Sequence, residues 1–273
     1  MEIACLKHSQ ITENQKNYLN DWDVDELIPI DYQIPTKVLD NLENNLKNDF
    51  CILLSRDVYS EGDAKFLYNY LLSHQQDLSN NFLALLPRWL GDEQKHYQAL
   101  RRVYRCLSGL DFDVMDENFQ RRSPSLEPID WVLQDEFTIV STLVFDELGS
   151  MFSYRRDLWE YYQPFGKVFS RVGQHLVQDE GSHFRHFLNI LQQNHSHRLK
   201  ELPDFFHSLI KLEKSLGCYY HTFLLDHAQE MHRFPSYFSG VIAELILAEL
   251  NLGDRPSNTI IKSLTQPSFS SNP

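Results

Sequence analysis

Glu93-Gln94-Lys95-His96 and Glu180-Gly181-Ser182-His183 decide the reading of this chain. Each is a Glu-x-x-His motif. On a helix, a spacing of three puts both side chains on one face about one turn apart, so that both reach a single metal ion. One such motif is a weak signal, because roughly one is expected by chance in a chain with this many glutamates and histidines. The surroundings strengthen it. Around the first motif the inward stripe reads Leu86, Trp89, Leu90, Glu93, His96, Leu100, Val103 and Leu107; around the second it reads Phe169, Val172, Leu176, Glu180, His183, Phe187 and Ile190. Glu and His interrupt two otherwise apolar faces, and a buried carboxylate is costly unless it is paired or ligates a metal.

Two further glutamates complete a set. Glu61 lies 32 residues before Glu93, and Glu147 lies 33 residues before Glu180. Two antiparallel helices joined by a short turn bring residues so separated to one level. The gap of 54 residues between Glu93 and Glu147 suits a crossover connection. The order Glu, Glu-x-x-His, Glu, Glu-x-x-His is that of di-iron and di-manganese carboxylate bundles, in which two helices give a Glu each and two give Glu-x-x-His. Glu136, three turns before Glu147 on the same face, is the rival for the third position; Glu147 fits the spacing. Imidazole suits iron, and four carboxylates balance two divalent ions.

The rest of the chain is consistent with one all-α domain. Glycine is scarce, at 10 of 273 residues, and long apolar-periodic segments dominate. The expected helices cover about 36–54, 60–77 (with Ser60 as N-cap), 82–108, 128–160, 167–193, 202–231 and 237–251, with a polar crossover at 109–127. Residues 1–34 form an N-terminal arm, 35–252 a ferritin-like four-helix bundle with flanking helices, and 253–273 a polar tail. No apolar run is long enough to span a membrane, and residues 1–10 lack the order of a signal peptide. Cys5, Cys51, Cys106 and Cys218 show no CxxC spacing, so a reduced, cytoplasmic protein is expected. The net charge of −13 disfavours nucleic acid. His195 and His197 sit at a polar helix end, and His207, His221, His227 and His232 have no acidic partner at ligand spacing.

At the level of motifs, residues 18–195 resemble the soluble acyl-acyl-carrier-protein desaturases. Gly91-Asp92-Glu93-Gln94-Lys95-His96, the following Leu107–Asp116 stretch, Phe145-Asp146-Glu147, Gln178-Asp179-Glu180-Gly181-Ser182-His183 and Tyr59-Ser60-Glu61 are similar to that family's ligand segments. The arm from Trp22 to Leu27-Ile28-Pro29 resembles its N-terminal arm. The resemblance implies a ligand set of Glu61, Glu93, His96, Glu147, Glu180 and His183 for two iron ions, with O2 as co-substrate. It implies that Asp179 bonds a ligand histidine, that Trp22 leads toward Asp179, and that Ser150, one turn after the third glutamate, lies near oxygen. It also implies an acyl group on acyl carrier protein, desaturated in an apolar channel with electrons from a ferredoxin-like donor, and a homodimer.

The chain departs from the family in Ser150, where threonine is usual, in Gly181-Ser182, where a charged pair is usual, and in a tighter turn before the first motif. Aldehyde-deformylating oxygenases share the ligand order but lack the Trp22–Pro29 arm. Arylamine N-oxygenases carry a further histidine where Leu176 stands. Ribonucleotide-reductase radical subunits need a tyrosine near the metals, for which Tyr68 and Tyr97 are the nearest in sequence. Because the carrier and the electron donor would be acidic, docking calls for a local basic patch, and Arg101, Arg102, Arg105, Arg121 and Arg122 are its candidates.

Overall fold

The computed structural model describes residues 22–43, 45–229 and 233–265; residues 1–21 of the expected arm, 266–273 of the expected tail, Cys5 and His232 lie outside them. The described residues are helical and contain no strand. In chain order the helices are α1 (Val24–Leu27), α2 (Thr36–Leu39), α3 (Leu46–Ser73), α4 (Asn80–Ser108), α5 (Phe112–Gln120), α6 (Glu136–Asp157), α7 (Lys167–Asn194), α8 (Leu202–Ser215), α9 (Phe238–Glu249) and α10 (Asn258–Ser263).

Local chemistry sets the ends of the long helices. The Ser79 hydroxyl accepts from Phe82 N at the start of α4, and Gly109 ends it in the left-handed region at φ 72°, a conformation cheap for glycine. Asp135 and Thr138 form a reciprocal capping box at the start of α6. Between α6 and α7 the chain passes through a π turn, Leu158–Tyr162, and a 3-10 turn, Gln163–Phe165. Short connections make α3/α4 and α6/α7 antiparallel pairs, and α4 packs against α7 to join them. The crossover between the pairs carries α5 and the 3-10 segment Glu127–Leu133.

Two apolar clusters fill this assembly. One contains Leu67, Phe82, Leu86, Trp89, Val140, Phe184 and Phe187. The other contains Phe50, Leu54, Val58, Leu100, Val103, Phe169 and Leu176. Each fully buried Leu, Val or Phe contributes roughly 1.5–3 kcal/mol. On α3, α4 and α7 the clusters meet at mid-helix, at Glu61, at Glu93 and His96, and at Glu180 and His183. The metal-type residues therefore form a polar belt between two packed apolar layers.

Several elements differ from expectation. The separate helices expected at 36–54 and 60–77 are the short α2 and one continuous α3. No proline interrupts 46–73, and Ser60, instead of capping a helix, lies within α3 and donates its hydroxyl to Asp226 Oδ2 at 2.6 Å. The helix expected from 128 begins only at Glu136, because Pro128 opens a 3-10 segment and Asp135 supplies the cap. The helix expected over 202–231 stops at Ser215; beyond it His221, Phe223 and Leu225 have φ of 59°, 70° and 56°, which an α-helix excludes. Within the expected tail, Ser257 caps α10, and Leu264 after it is buried.

The expected basic patch is turned inward. Arg102 Nη1 donates to Ile28 O at 2.9 Å and Val24 O at 3.3 Å, and Arg105 Nη1 donates to Ile30 O at 3.2 Å. These two side chains clamp the arm onto α4. Arg101 Nη2 donates to Phe112 O at 2.9 Å and fixes α5. Arg122 is held by Asp63 at 2.6 Å, so of the five only Arg121, paired with Glu117, is well exposed.

The π turn packs tightly on α7. A Cβ on Gly173 would meet Tyr162 Cγ at 3.0 Å and Leu158 Cδ1 at 3.1 Å. Gly173→Ala is therefore expected to destabilise the protein by about 1–3 kcal/mol through overpacking, despite the better helix propensity of alanine. Thermal unfolding followed by circular dichroism measures this, and an unchanged or raised midpoint would show that the turn yields freely.

Candidate metal centre

Four helices deliver six side chains to the belt: Glu61 from α3, Glu93 and His96 from α4, Glu147 from α6, and Glu180 and His183 from α7. All are buried, with Glu93 and His96 at 0% exposure. They form two groups, Glu61–Glu93–His96–Glu180 and Glu93–Glu147–Glu180–His183, in each of which the ligand atoms lie within 4.8 Å of one another. Glu93 and Glu180 belong to both. The geometry is therefore that of two adjacent sub-sites, each with its own glutamate and histidine, joined by two shared carboxylates.

His96 Nδ1 lies 3.2 Å from Glu93 Oε2 and 3.2 Å from Glu180 Oε1, and His183 Nδ1 lies 3.0 Å from Glu93 Oε1 and 3.2 Å from Glu147 Oε2. Both rings thus aim Nδ1 at the carboxylates. Their Nε2 atoms are tied crosswise. His96 Nε2 meets Asp179 Oδ2 at 3.2 Å, and His183 Nε2 meets Asp92 Oδ2 at 3.5 Å. Each aspartate immediately precedes the glutamate of the opposite motif. An Nε2–H given to a carboxylate leaves Nδ1 as a lone pair for a metal and fixes the ring.

The carboxylates are oriented as well. Trp89 Nε1 donates to Glu147 Oε1 at 2.9 Å, and the Tyr154 hydroxyl donates to Glu61 Oε1. Trp22 Nε1 donates to Asp179 Oδ2 at 2.7 Å, and the Trp22 ring stacks on His175 with centroids 4.9 Å apart. A continuous contact chain thus runs from the N-terminal arm through Asp179 to His96.

Burial pushes the Glu61 and Glu147 carboxyls well above the ordinary carboxylate range, with neighbouring carboxylates adding to the effect. The shared pair behaves oppositely. Burial works against charge on Glu93 and Glu180, but the two imidazoles outweigh it and hold both below the ordinary value. Burial also works against the imidazolium forms, yet the carboxylates, Glu93 foremost for His96 and Glu147 for His183, raise both rings well above their usual value. Without metal the cluster is neutral: two imidazoliums face two carboxylates, and the other two carboxyls keep their protons.

Glu61 Oε2, both Glu93 oxygens and His96 Nδ1 are buried and have no hydrogen-bond partner among the described residues. Buried polar atoms without partners are rare and call for an explanation such as an ion. Two divalent cations fit: they would replace four protons with four positive charges and engage these orphaned atoms.

The remaining candidates fall into place around this centre. Glu136, the rival of Glu147, accepts from Ser79 N, from the Ser79 hydroxyl at 2.8 Å and from Asn194 at 2.9 Å, and pairs with His195 at 3.0 Å. It knots three helix ends together and is no part of the cluster. Ser150 Oγ pairs with His227 Nε2 at 3.2 Å and lines a polar cavity of about 150 Å3 that Tyr154 also borders. Sequence reasoning missed Asp92, Trp89 and Tyr154. Asp92 could have been found, since it stands in its motif where Asp179 stands in the other. Tyr154 lies two turns after Glu147 on one face of α6, but nothing in the sequence pairs it with Glu61. Comparison with protein-family models finds no match, and comparisons with characterised proteins and with solved structures find no significant similarity.

Two expected outcomes follow from the charge balance. Loading the pair of sub-sites with a divalent ion should release protons, up to about four per chain, so affinity falls as pH drops and the imidazoles and terminal carboxyls hold their protons more firmly. Calorimetric titrations of Fe(II) or Mn(II) under anaerobic conditions, in buffers of different ionisation enthalpy, count those protons. Glu180→Ala removes a shared ligand and should abolish both ions, whereas Asp179→Asn should keep the fold and weaken the His96 sub-site about 10–100-fold. Full metal content in Glu180→Ala would refute the assignment.

Proposed function

We propose that this chain is an O2-dependent oxidoreductase with two iron ions in a ferritin-like bundle, acting as a desaturase on an acyl group carried by acyl carrier protein. The observation that carries the di-iron reading is the pair of buried sub-sites sharing Glu93 and Glu180. A donor set of four carboxylates and two imidazoles on four helices is that of di-iron and di-manganese carboxylate proteins, and it suits iron better than zinc, whose structural sites favour thiolates and imidazoles in tetrahedral sets of four. Support for the desaturase type comes from the motif resemblance, together with the contact of Trp22 with Asp179 and of Asp179 with His96. In this reading a ferredoxin-like donor supplies electrons from outside, and the protein works in the cytoplasm.

Iron bound at the centre would supply the reductive activation of O2 that removal of hydrogen from an unactivated carbon requires. The chain's own groups do the rest. Asp92 and Asp179 hold the histidine rings, and Trp89 and Tyr154 hold the terminal glutamates. The apolar layers on either side keep bulk water from the centre. No helix among the described residues is long and apolar enough to cross a membrane, in keeping with a carrier-borne rather than a bilayer-borne substrate.

The test supplies reduced, iron-loaded protein with O2, a ferredoxin and its reductase, and a panel of acyl-carrier-protein thioesters. Mass spectrometry of the acyl group should show a loss of about two mass units, the mark of desaturation. A gain of one oxygen would make the protein a hydroxylase, and a chain one carbon shorter a deformylating oxygenase. An unchanged panel with iron bound and oxidised by O2 would leave an iron-handling bundle.

A further inference from the structure

Beside the Glu61 sub-site lies the cavity of about 150 Å3 noted above. Its walls are α3, α6, the segment after α5 and the loop that follows α8. Every lining residue carries a polar or charged group, and none is aliphatic. Its size is that of about five water molecules at roughly 30 Å3 each, below the several hundred Å3 typical of pockets that enclose larger apolar ligands. It touches the centre through Tyr154, whose ring borders the cavity and whose hydroxyl bonds Glu61.

The loop wall is built at a cost. His221, Phe223 and Leu225 all have positive φ, each worth roughly 1–3 kcal/mol of strain for a residue with a side chain. Specific bonds hold this conformation. The Tyr219 hydroxyl donates to Asp63 Oδ2 at 2.9 Å and accepts from Phe223 N at 2.6 Å, and Leu225 N donates to Asp146 Oδ2 at 3.1 Å. The effect is to present His221 and Asp226 to the cavity. His221 Nδ1 and Asp226 Oδ1 are both buried and have no hydrogen-bond partner among the described residues; the nearest cation-capable atom to Asp226 Oδ1 is His227 Nε2 at 3.5 Å. Asp226 Oδ2 accepts from Ser60, so Oδ1 is left to meet a donor.

The charge of the lining narrows the ligand. Arg122 is neutralised by Asp63. Two carboxylates, Asp57 and Asp226, then stand against one guanidinium, Arg56. We propose that this cavity is a ligand site beside the metal centre for a compact amino alcohol or similar hydroxylated amine, with Asp226 Oδ1 taking its donor group. The binding claim stands on the cavity alone. Its consequence, that an oxidised substrate presents a polar group rather than an alkyl chain at this position, rests on the di-iron reading.

Ethanolamine is the probe, with decanoate as the apolar comparison, each titrated into metal-free and iron-loaded full-length protein and followed by ligand-detected saturation-transfer NMR. Saturable ethanolamine binding to both forms is expected, undisturbed by decanoate. Asp226→Asn should weaken it about tenfold or more, the scale of a charge-assisted hydrogen bond, and Ser153→Phe should abolish it by filling the cavity. Circular dichroism and iron content are read on each variant, so that a misfolded variant is recognised and the other decides. No saturable ethanolamine binding, displacement by decanoate, or equal affinity in a folded Asp226→Asn or Ser153→Phe protein would overturn the proposal. Binding with no iron uptake would instead keep the site and remove the di-iron reading. Loss of binding with two irons per chain would do the reverse.

Discussion

Six ionisable side chains are buried at the middle of a helical core, and the rest of the structure accommodates that fact. An isolated ionised carboxylate in such surroundings would be prohibitively costly. Four are present here, and the fold manages them by symmetry and proximity. Two imidazoles sit among the four carboxylates, so charge is compensated within one cluster and not by distant groups. Every ligand except the shared pair is then held by a further residue from another element: His96 by Asp179, His183 by Asp92, Glu147 by Trp89 and Glu61 by Tyr154. The shared pair needs no such support, because each member already faces both rings. Apolar layers above and below lock the helices in register, and register is what brings atoms from four helices within 4.8 Å.

Much of this was legible in the sequence, because the relevant constraints are periodic. Glu and His on an apolar stripe stand out against Leu, Val and Phe, and equal spacings of Glu61 from Glu93 and Glu147 from Glu180 reflect two helical hairpins of equal reach. The boundaries of α4 and α7 were readable from Ser79, Gly109 and Gly166. What was not legible depends on tertiary contacts. Ser60 looks like an N-cap, but packing carries α3 straight through it and assigns its hydroxyl to Asp226. Arg101, Arg102 and Arg105 look like a surface patch, but the arm and α5 lie over them and offer backbone carbonyls. The loop of Tyr219 to His227 has no glycine to announce its left-handed residues, and its conformation is set by Asp63 and Asp146 on two other helices. Tyr154 meets Glu61 only because α3 and α6 are neighbours, which no local pattern encodes.

The repeated hairpins make the two sub-sites similar in ligands, yet their surroundings differ, and the difference has a direction. On the Glu147 side, Trp89 and the packed ring of Phe223, with centroids 5.1 Å apart, close the centre with apolar bulk. On the Glu61 side, Tyr154 opens onto a polar cavity, and His96 is reached from the arm through Asp179 and Trp22. One sub-site is therefore sealed, and the other is connected in two ways, to a cavity and to the N-terminal arm. The arm owes its position to Arg102 and Arg105, which bind its carbonyls, and the same Asp179 oxygen that accepts from Trp22 also meets His96. Ordering of the arm and orientation of the His96 ring are thus coupled through one atom, and coupling between two equilibria is reciprocal. A docked arm favours the ring orientation that a metal needs, and a metal on Nδ1 favours the docked arm. This is why a segment so far from the ligands in sequence belongs to the same functional unit.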